Sequence, residues 1–226
     1  MTSTSIDELE RLKPELERLK PELERLKLQE KRKKLTEKSY LNSPSRQERV
    51  VQKISEVLES QGLKEGRMLE IGGRENPLGR FFPNFECMNM DLANTGENVV
   101  IGDITGCPEI ESESFDVIIS FDVFEHINRP WLAANEITRL LKPGGITFHS
   151  TLWSWRYHPC PIDYWRFSPD ALEFLFNDLE PLLKEFDSVE RRRNILGRGK
   201  YKVKADAIGG WRENWRVNFG GRKPSN

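Results

Sequence analysis

The feature that most narrows the fold is a series of short apolar runs: RMLEIG at 67–72, CMNMDL at 87–92, NVVIGD at 98–103, FDVIISF at 115–121, ITFHSTL at 146–152 and WRVNFGG at 215–221. Each is strand-length and apolar without strict alternation, as strands buried on both faces are. Amphipathic stretches stand between them. SPSRQERVVQKISEVLESQG, 43–62, has a Ser45/Glu48 capping-box spacing, an apolar stripe of Val50, Val51, Ile54, Val57 and Leu58, and Gly62 past its end. RPWLAANEITRLLKPGG, 129–145, carries Leu132, Ile137, Leu140 and Leu141 on one side and stops at Pro-Gly-Gly, and SPDALEFLFNDLEPLLKEF, 168–186, predicts one more helix begun by Ser168 and Pro169. Strand and helix in alternation predict an α/β protein: a Rossmann-like, doubly wound sheet of about seven strands with helices on both faces and its site at the carboxyl ends of the strands.

The first 40 residues obey a different period. DELERLK, PELERLK and PELERLK, 7–27, place Leu9, Leu12, Leu16, Leu19, Leu23 and Leu26 at alternating spacings of three and four, the seam of a coiled coil. Lys13 and Lys20 then fall at e and Glu15 and Glu22 at g, so a second copy can pair Glu15 with Lys20. Pro14 and Pro21 oppose the helix at ~3 kcal/mol each in an interior, yet both fall at f, farthest from the seam. The expected organisation is a heptad-repeat helical arm over 1–40, either an element that joins copies or a partner through 7–27 or a kinked extension, and one α/β domain over 41–226.

Composition removes several classes of function. The 226 residues are 37% hydrophobic and 31% charged, and none of their apolar stretches approaches the ~18 residues that cross a bilayer. A net charge of −1 with both signs interspersed offers no one-sided field for nucleic acid or anionic lipid. The start lacks the basic and apolar regions of a secretory signal, and Cys87, Cys107 and Cys160 are odd in number and scattered, which predicts a cytoplasmic protein.

The chemistry gathers at the ends of the runs. Glu70 ends the first, and Gly72 and Gly73 follow it, where a ligand touches backbone. The spacing from Gly72 and Gly73 to Gly79 lacks the tight turn into a helix that grips a pyrophosphate, which counts against a dinucleotide oxidoreductase. Asp91 comes 21 residues after Glu70 and suits the two hydroxyls of a ribose; Asp103, twelve further on, suits the amino group of an adenine whose face Ile104 covers. Three acids on three successive strand ends, with no Lys or Arg cradle, describe a nucleoside with a cationic tail, which S-adenosyl-L-methionine is.

MLEIGG, MDL, IGDI, SFDVIISFDVFEHI and LLKPGG, in this order, resemble the successive motifs of class I S-adenosylmethionine-dependent methyltransferases, in particular the type 11 group, over residues 45–155. Arg74 stands where that family has a further glycine. The resemblance implies that Glu70 and Gly72, with Gly73, line the methionine side; that Asp91, with Leu92, meets the ribose; that Asp103 and Ile104 meet the adenine; and that Phe121 walls the sulfonium.

Methyl transfer needs an acceptor held ~3 Å from the methyl group and, for a hydroxyl, a base. Asp122 and His126, four apart in FDVFEHI, are expected to share a face of a helix beginning there, and His158 is the third candidate base. No ligand spacing demands a metal. FHSTLWSWRYHPCPIDYWRFSPDAL, 148–172, holds Trp153, Trp155, Tyr157, His158, Asp163, Tyr164, Trp165 and Arg166, an aromatic density with interspersed polar groups that suits a carbohydrate. HPCPIDYWRFSP within it resembles a segment of methyltransferases from polysaccharide and O-antigen gene clusters. Trp155, Tyr157, Asp163, Trp165 and Arg166, with Trp211 and Arg212 from IGGWRENWRVNF, are the expected acceptor site. The expected function is O-methylation of a sugar hydroxyl on a glycan or sugar conjugate; N- or C-methylation of a small metabolite and a non-catalytic scaffold are the alternatives.

Overall fold

The computed structural model describes residues 3–40, 45–73, 77–93, 99–155, 157–159, 161–187, 190–192, 211–213 and 216–225. Seven strands form one sheet: β1 (Gly66–Ile71), β2 (Phe85–Asp91), β3 (Val99–Ile101), β4 (Phe115–Phe121), β5 (Leu141–Leu152), β6 (Glu180–Phe186) and β9 (Arg216–Arg222), in the order β3-β2-β1-β4-β5-β9-β6. The first five pair in parallel, while β9 runs antiparallel between β5 and β6. A separate two-stranded ribbon joins β7 (Glu190–Arg192) and β8 (Trp211–Glu213).

The pleat explains why the strands read as unbroken apolar runs. Val117 and Ile119 of β4, Met68 of β1, and Ile146 and Phe148 of β5 pack on one face with Val50, Ile54, Val57 and Leu58 of α2 (Arg46–Ser60). Leu69, Ile71 and Ile118 point the other way, against Ala133, Ala134, Ile137 and Leu140 of α3 (Pro130–Leu140) and Leu172 of α4 (Pro169–Leu175). With both faces buried, a strand has no solvent face that calls for polar residues at alternate positions. The capping box of α2 forms as expected: the Glu48 amide donates to Ser45 Oγ at 3.2 Å, and the Ser45 amide donates to the Glu48 carboxylate at 2.5 Å.

One expected helix is half strand. Residues 168–186 begin as α4, with the Ala171 amide on Ser168 Oγ at 3.1 Å, but a turn at Phe176–Leu179 ends it and 180–186 become β6. Pro181 is the physical reason. It has no amide to extend a helix, and it is tolerated at the sheet edge, where the β6–β9 register shifts between Pro181 and Leu183.

The amino-terminal segment forms helix α1 (Ser3–Tyr40) with Pro14 and Pro21 inside it, and Leu12, Leu19, Leu23 and Leu26 along it are exposed. No helix among the described residues is long and apolar enough to cross a membrane.

The loop that follows β3 is fixed from α3. Glu136 accepts from the Cys107 amide at 2.9 Å and from Arg139 at 2.7 and 3.0 Å, while Arg139 donates to the carbonyls of Cys107 and Ile110 and to Ser112 Oγ. These bonds, those of Arg139 foremost, hold the Glu136 carboxyl at about 2, below its ordinary 4.5. Its contribution to stability is therefore complete above pH 4.5 and is lost as the pH falls towards 2. Glu136→Gln is expected to lower the melting temperature at pH 7 and to flatten its decline between pH 5 and 3, measured by circular dichroism.

Candidate active site at the carboxyl edge of the sheet

Parallel register carries the ends of four strands to one edge. Ile71 lies beside Met90 and Ser120, Asp91 beside Ile101, and Phe121 beside Ser150. Gly72 turns away from β1 with φ +77°, its amide on the Met90 carbonyl at 2.8 Å; a Cβ there would stand 2.6 Å from Val123 Cγ2, so both backbone and space demand glycine. The Gly73 amide donates to Asn89 Oδ1 at 3.1 Å, and Arg74 lies outside the described residues.

Glu70 does not offer its carboxylate to an open groove. Its two oxygens accept the amides of Leu78 and Gly79, each at 2.8 Å, which holds the start of the Leu78–Phe81 turn beside β1. Burial raises its carboxyl against those two bonds. Asp91 accepts from the Ala93 amide at 3.4 Å and is half-buried, next to an exposed Leu92. Asp103 is exposed beyond β3 and caps its own turn through the Thr105 amide at 2.8 Å. Ile104, expected over a ligand face, packs in the core instead, where its burial beside Cys107 anchors the turn. Phe121 is half-buried at the end of β4, with the guanidinium groups of Arg46 and Arg216 5.3 and 4.9 Å from its ring centre.

Asp122 and His126 do not share a helix face. The helix expected there is a single 3-10 turn, Phe124–His126, and Asp122 precedes it with φ 56°, a left-handed conformation that Asp tolerates better than most residues. Arg216, 2% exposed, meets Asp122 through Nε at 2.7 Å and through Nη2, and Arg46 adds a contact at 3.1 Å. Both carboxylate oxygens of Asp122 thus already face guanidinium groups, which ties β9 to the end of β4.

His126 and His158 lie together, ring centres 5.0 Å apart. His126 Nδ1 donates to the Ile162 carbonyl at 2.6 Å, and His158 Nδ1 donates to Asp163 Oδ2 at 3.0 Å, so in each ring Nε2 is the nitrogen outside these bonds. Burial alone would raise Asp163, but bidentate Arg166, at 2.5 and 2.7 Å, and the His158 amide, at 2.8 Å, outweigh it and hold it at about 2. Burial keeps His158 below the usual imidazole range. Asp163 and Arg166, expected to bind acceptor, therefore bind each other and His158; Arg166 also donates to the Trp155 carbonyl. The third histidine, His149, is fully buried between Ser120 Oγ and Thr147 Oγ1, stacked on Phe176, and driven to about 3 by burial, so it is neutral core.

Glu125 was not singled out in the sequence. It is 0% exposed; Oε2 accepts from Thr151 Oγ1 at 2.7 Å, whereas Oε1 has no hydrogen-bond partner among the described residues and stands 3.9 Å from His126 Nε2. Burial, with Asp122 nearby, pushes its carboxyl up to about 7. Its only signal in the chain was an acid inside FDVFEHI, which reads equally well as a solvated turn. The Glu125 carbonyl accepts the amides of Tyr164 and Trp165, at 2.8 and 3.2 Å, and so fastens the aromatic segment to this turn. Tyr157, Tyr164 and Trp165 are exposed there, Trp165 edge-on to Trp131, and Trp155 is half-buried. Trp211 and Arg212 belong to β8, and the contacts expected of them lie outside the described side chains.

Residues 84–149 match the family model described as Methyltransferase domain. No curated protein sequence matches the chain significantly. Among solved structures it is similar to a candidate methyltransferase from Bacillus halodurans C-125, with 14% identity and a TM-score of 0.56 over 77% of this chain and 100% of that one. It is also similar to the 1,6-didemethyltoxoflavin-N1-methyltransferase of Burkholderia thailandensis, solved with S-adenosylhomocysteine, at 15% identity and TM-score 0.53, covering 78% and 79%. The N-methyltransferase NodS of Bradyrhizobium japonicum WM9, likewise solved with S-adenosylhomocysteine, gives 14% and 0.51, covering 82% and 90%. At such identities the likeness is one of fold, while the family match takes in β2, β3, β4, α3 and most of β5 and leaves β1 with its glycine turn outside it: residues 84–149 match a methyltransferase domain, and the chain is an enzyme of methyltransferase type.

Proposed function

We propose that this methyltransferase transfers a methyl group from S-adenosyl-L-methionine to a sugar hydroxyl of a glycan or sugar conjugate. The glycine turn at Gly72, which a Cβ would fill, and the acids Asp91 and Asp103 at neighbouring strand ends fit a nucleoside with a cationic tail. Gly72 and Gly73 would meet the methionine end, Asp91 the ribose, Asp103 the adenine and Phe121 the sulfonium side, while Glu70 holds the loop from behind. When bound, S-adenosyl-L-methionine supplies a methyl carbon on an activated sulfonium, and the electron pair of the broken carbon–sulfur bond remains on sulfur.

The observation that supports an oxygen acceptor on a sugar is the fastening of the aromatic segment to the turn that bears Glu125 and His126. Exposed rings of Tyr157, Tyr164 and Trp165 give flat faces for sugar C–H groups, and one imidazole of the adjacent His126–His158 pair, when neutral, accepts the hydroxyl proton as the new oxygen–carbon bond forms. Asp163 and Arg166 act as positioning residues that orient His158, and Asp122 positions Arg216. The named structural neighbours that methylate nitrogen give the alternative, an amine acceptor.

The proposed compartment is the cytoplasm, in keeping with the free thiols of Cys87 and Cys107. The arm is read as a self-association element: its leucines Leu12, Leu19, Leu23 and Leu26 are exposed along one helix, and a second copy would cover them.

Asp103→Ala is expected to weaken S-adenosylhomocysteine binding about tenfold by titration calorimetry, as loss of one hydrogen bond to a charged group implies; equal affinity would remove the adenine assignment. In an acceptor panel of sugars, amines and small aromatics, methyl ethers on sugar hydroxyls are expected, and products on nitrogen alone would replace this reading with the alternative. Deleting residues 1–40 is expected to lower the molar mass by light scattering to that of a single chain, and an unchanged assembly would dismiss the arm.

A further inference from the structure

We propose that Glu125, His126 and His158 form a binding site for a divalent first-row transition cation. One ligand atom from each of the three lies within 4.8 Å of the other two. Ligands on such an ion sit about 2.0–2.2 Å from it, and hence about 3.0–3.5 Å from one another, so small side-chain rotations close the set.

Two further observations are independent of that proximity. The first is the oxygen of Glu125 that faces His126 Nε2: it is wholly buried and lacks a hydrogen-bond partner among the described residues, while its twin is held by Thr151. A buried carboxylate oxygen left in this way has lost its water without gaining a partner, and a cation supplies one. The second is the backing of the imidazoles. Both Nδ1–H groups are engaged by oxygens, one by the Ile162 carbonyl and the other by the Asp163 carboxylate, itself clamped by Arg166. Histidines that ligate metals are oriented through the other ring nitrogen in the same manner, and a carboxylate behind the ring increases its donor strength.

Two imidazoles and one carboxylate favour a borderline transition ion over calcium or magnesium, which prefer oxygen ligands. The set leaves at least one coordination position open. Resting on the acceptor reading above, that position takes the acceptor oxygen: bound there, the hydroxyl gives up its proton to solvent water more readily, and the imidazoles work through the ion instead of taking the proton themselves.

Cobalt(II) and zinc(II) titrations of the full-length, chelator-stripped protein test the site without any substrate. One cobalt ion per chain, giving a visible d–d absorption that zinc displaces, is the expected result. His158→Ala, at a half-buried position, is expected to weaken binding at least tenfold, Glu125→Gln similarly, and Asp163→Asn about tenfold through loss of orientation. Should Glu125→Gln fail to fold, the His158 variant decides. Absence of cobalt binding, or undiminished affinity in His158→Ala, overturns the site. Metal binding together with methyl transfer that survives chelation keeps the site and removes its link to the acceptor; sugar methylation without any metal binding overturns the ion and leaves the acceptor reading standing.

Discussion

Burial of the parallel strands on both faces is the constraint on which the rest of this molecule depends. Once Val117, Ile119 and Met68 are committed to one layer and Leu69, Ile71 and Ile118 to the other, the faces of the central sheet are covered, and a polar side chain there, such as His149, bonds its neighbours Ser120 and Thr147. Polar groups that must meet a ligand are driven to the ends of the strands, and because β1, β2, β3 and β4 run in parallel their carboxyl ends meet at one edge. The turn at Gly72, the acids at 91 and 103 and the Phe121–Asp122 corner are consequences of that geometry.

At this edge most charged groups are turned to one another. Glu70 is held by backbone amides, Asp122 by Arg216 and Arg46, and Asp163 by Arg166 and His158. Each such pairing removes a side chain from direct contact with ligand and spends it on orientation, which is how a reacting constellation acquires rigidity. Glu125 is the exception: deeply buried, held by one oxygen, and left unsatisfied at the other beside two imidazoles. A group in that condition is strained electrostatically unless something positive comes to it.

Much of this was legible in the chain. All six apolar runs, five of them parallel strands and the last antiparallel, the cap at Ser45 and the stop after α3 follow from local pattern and chemistry, and the acids at strand ends lie at the edge where spacing put them. Local pattern misled where pairing decided. Residues 180–186 read as helix because their apolar spacing suits both periods; the edge of β9 made them strand. Asp122 and His126 read as one helical face because four residues separate them, but the positive φ at Asp122, stabilised by Arg216 from 94 residues away, interrupts the helix before it begins.

The sequence by itself determined the class of fold and the edge at which the site lies, since both follow from short-range apolar periodicity and from where glycines and acids interrupt it. Only the tertiary structure decided what each polar side chain does there. Ion pairs and hydrogen bonds between residues far apart in the chain leave no periodic trace, so nothing local distinguishes Asp163, spent on His158, from Glu125, whose free oxygen waits in the interior.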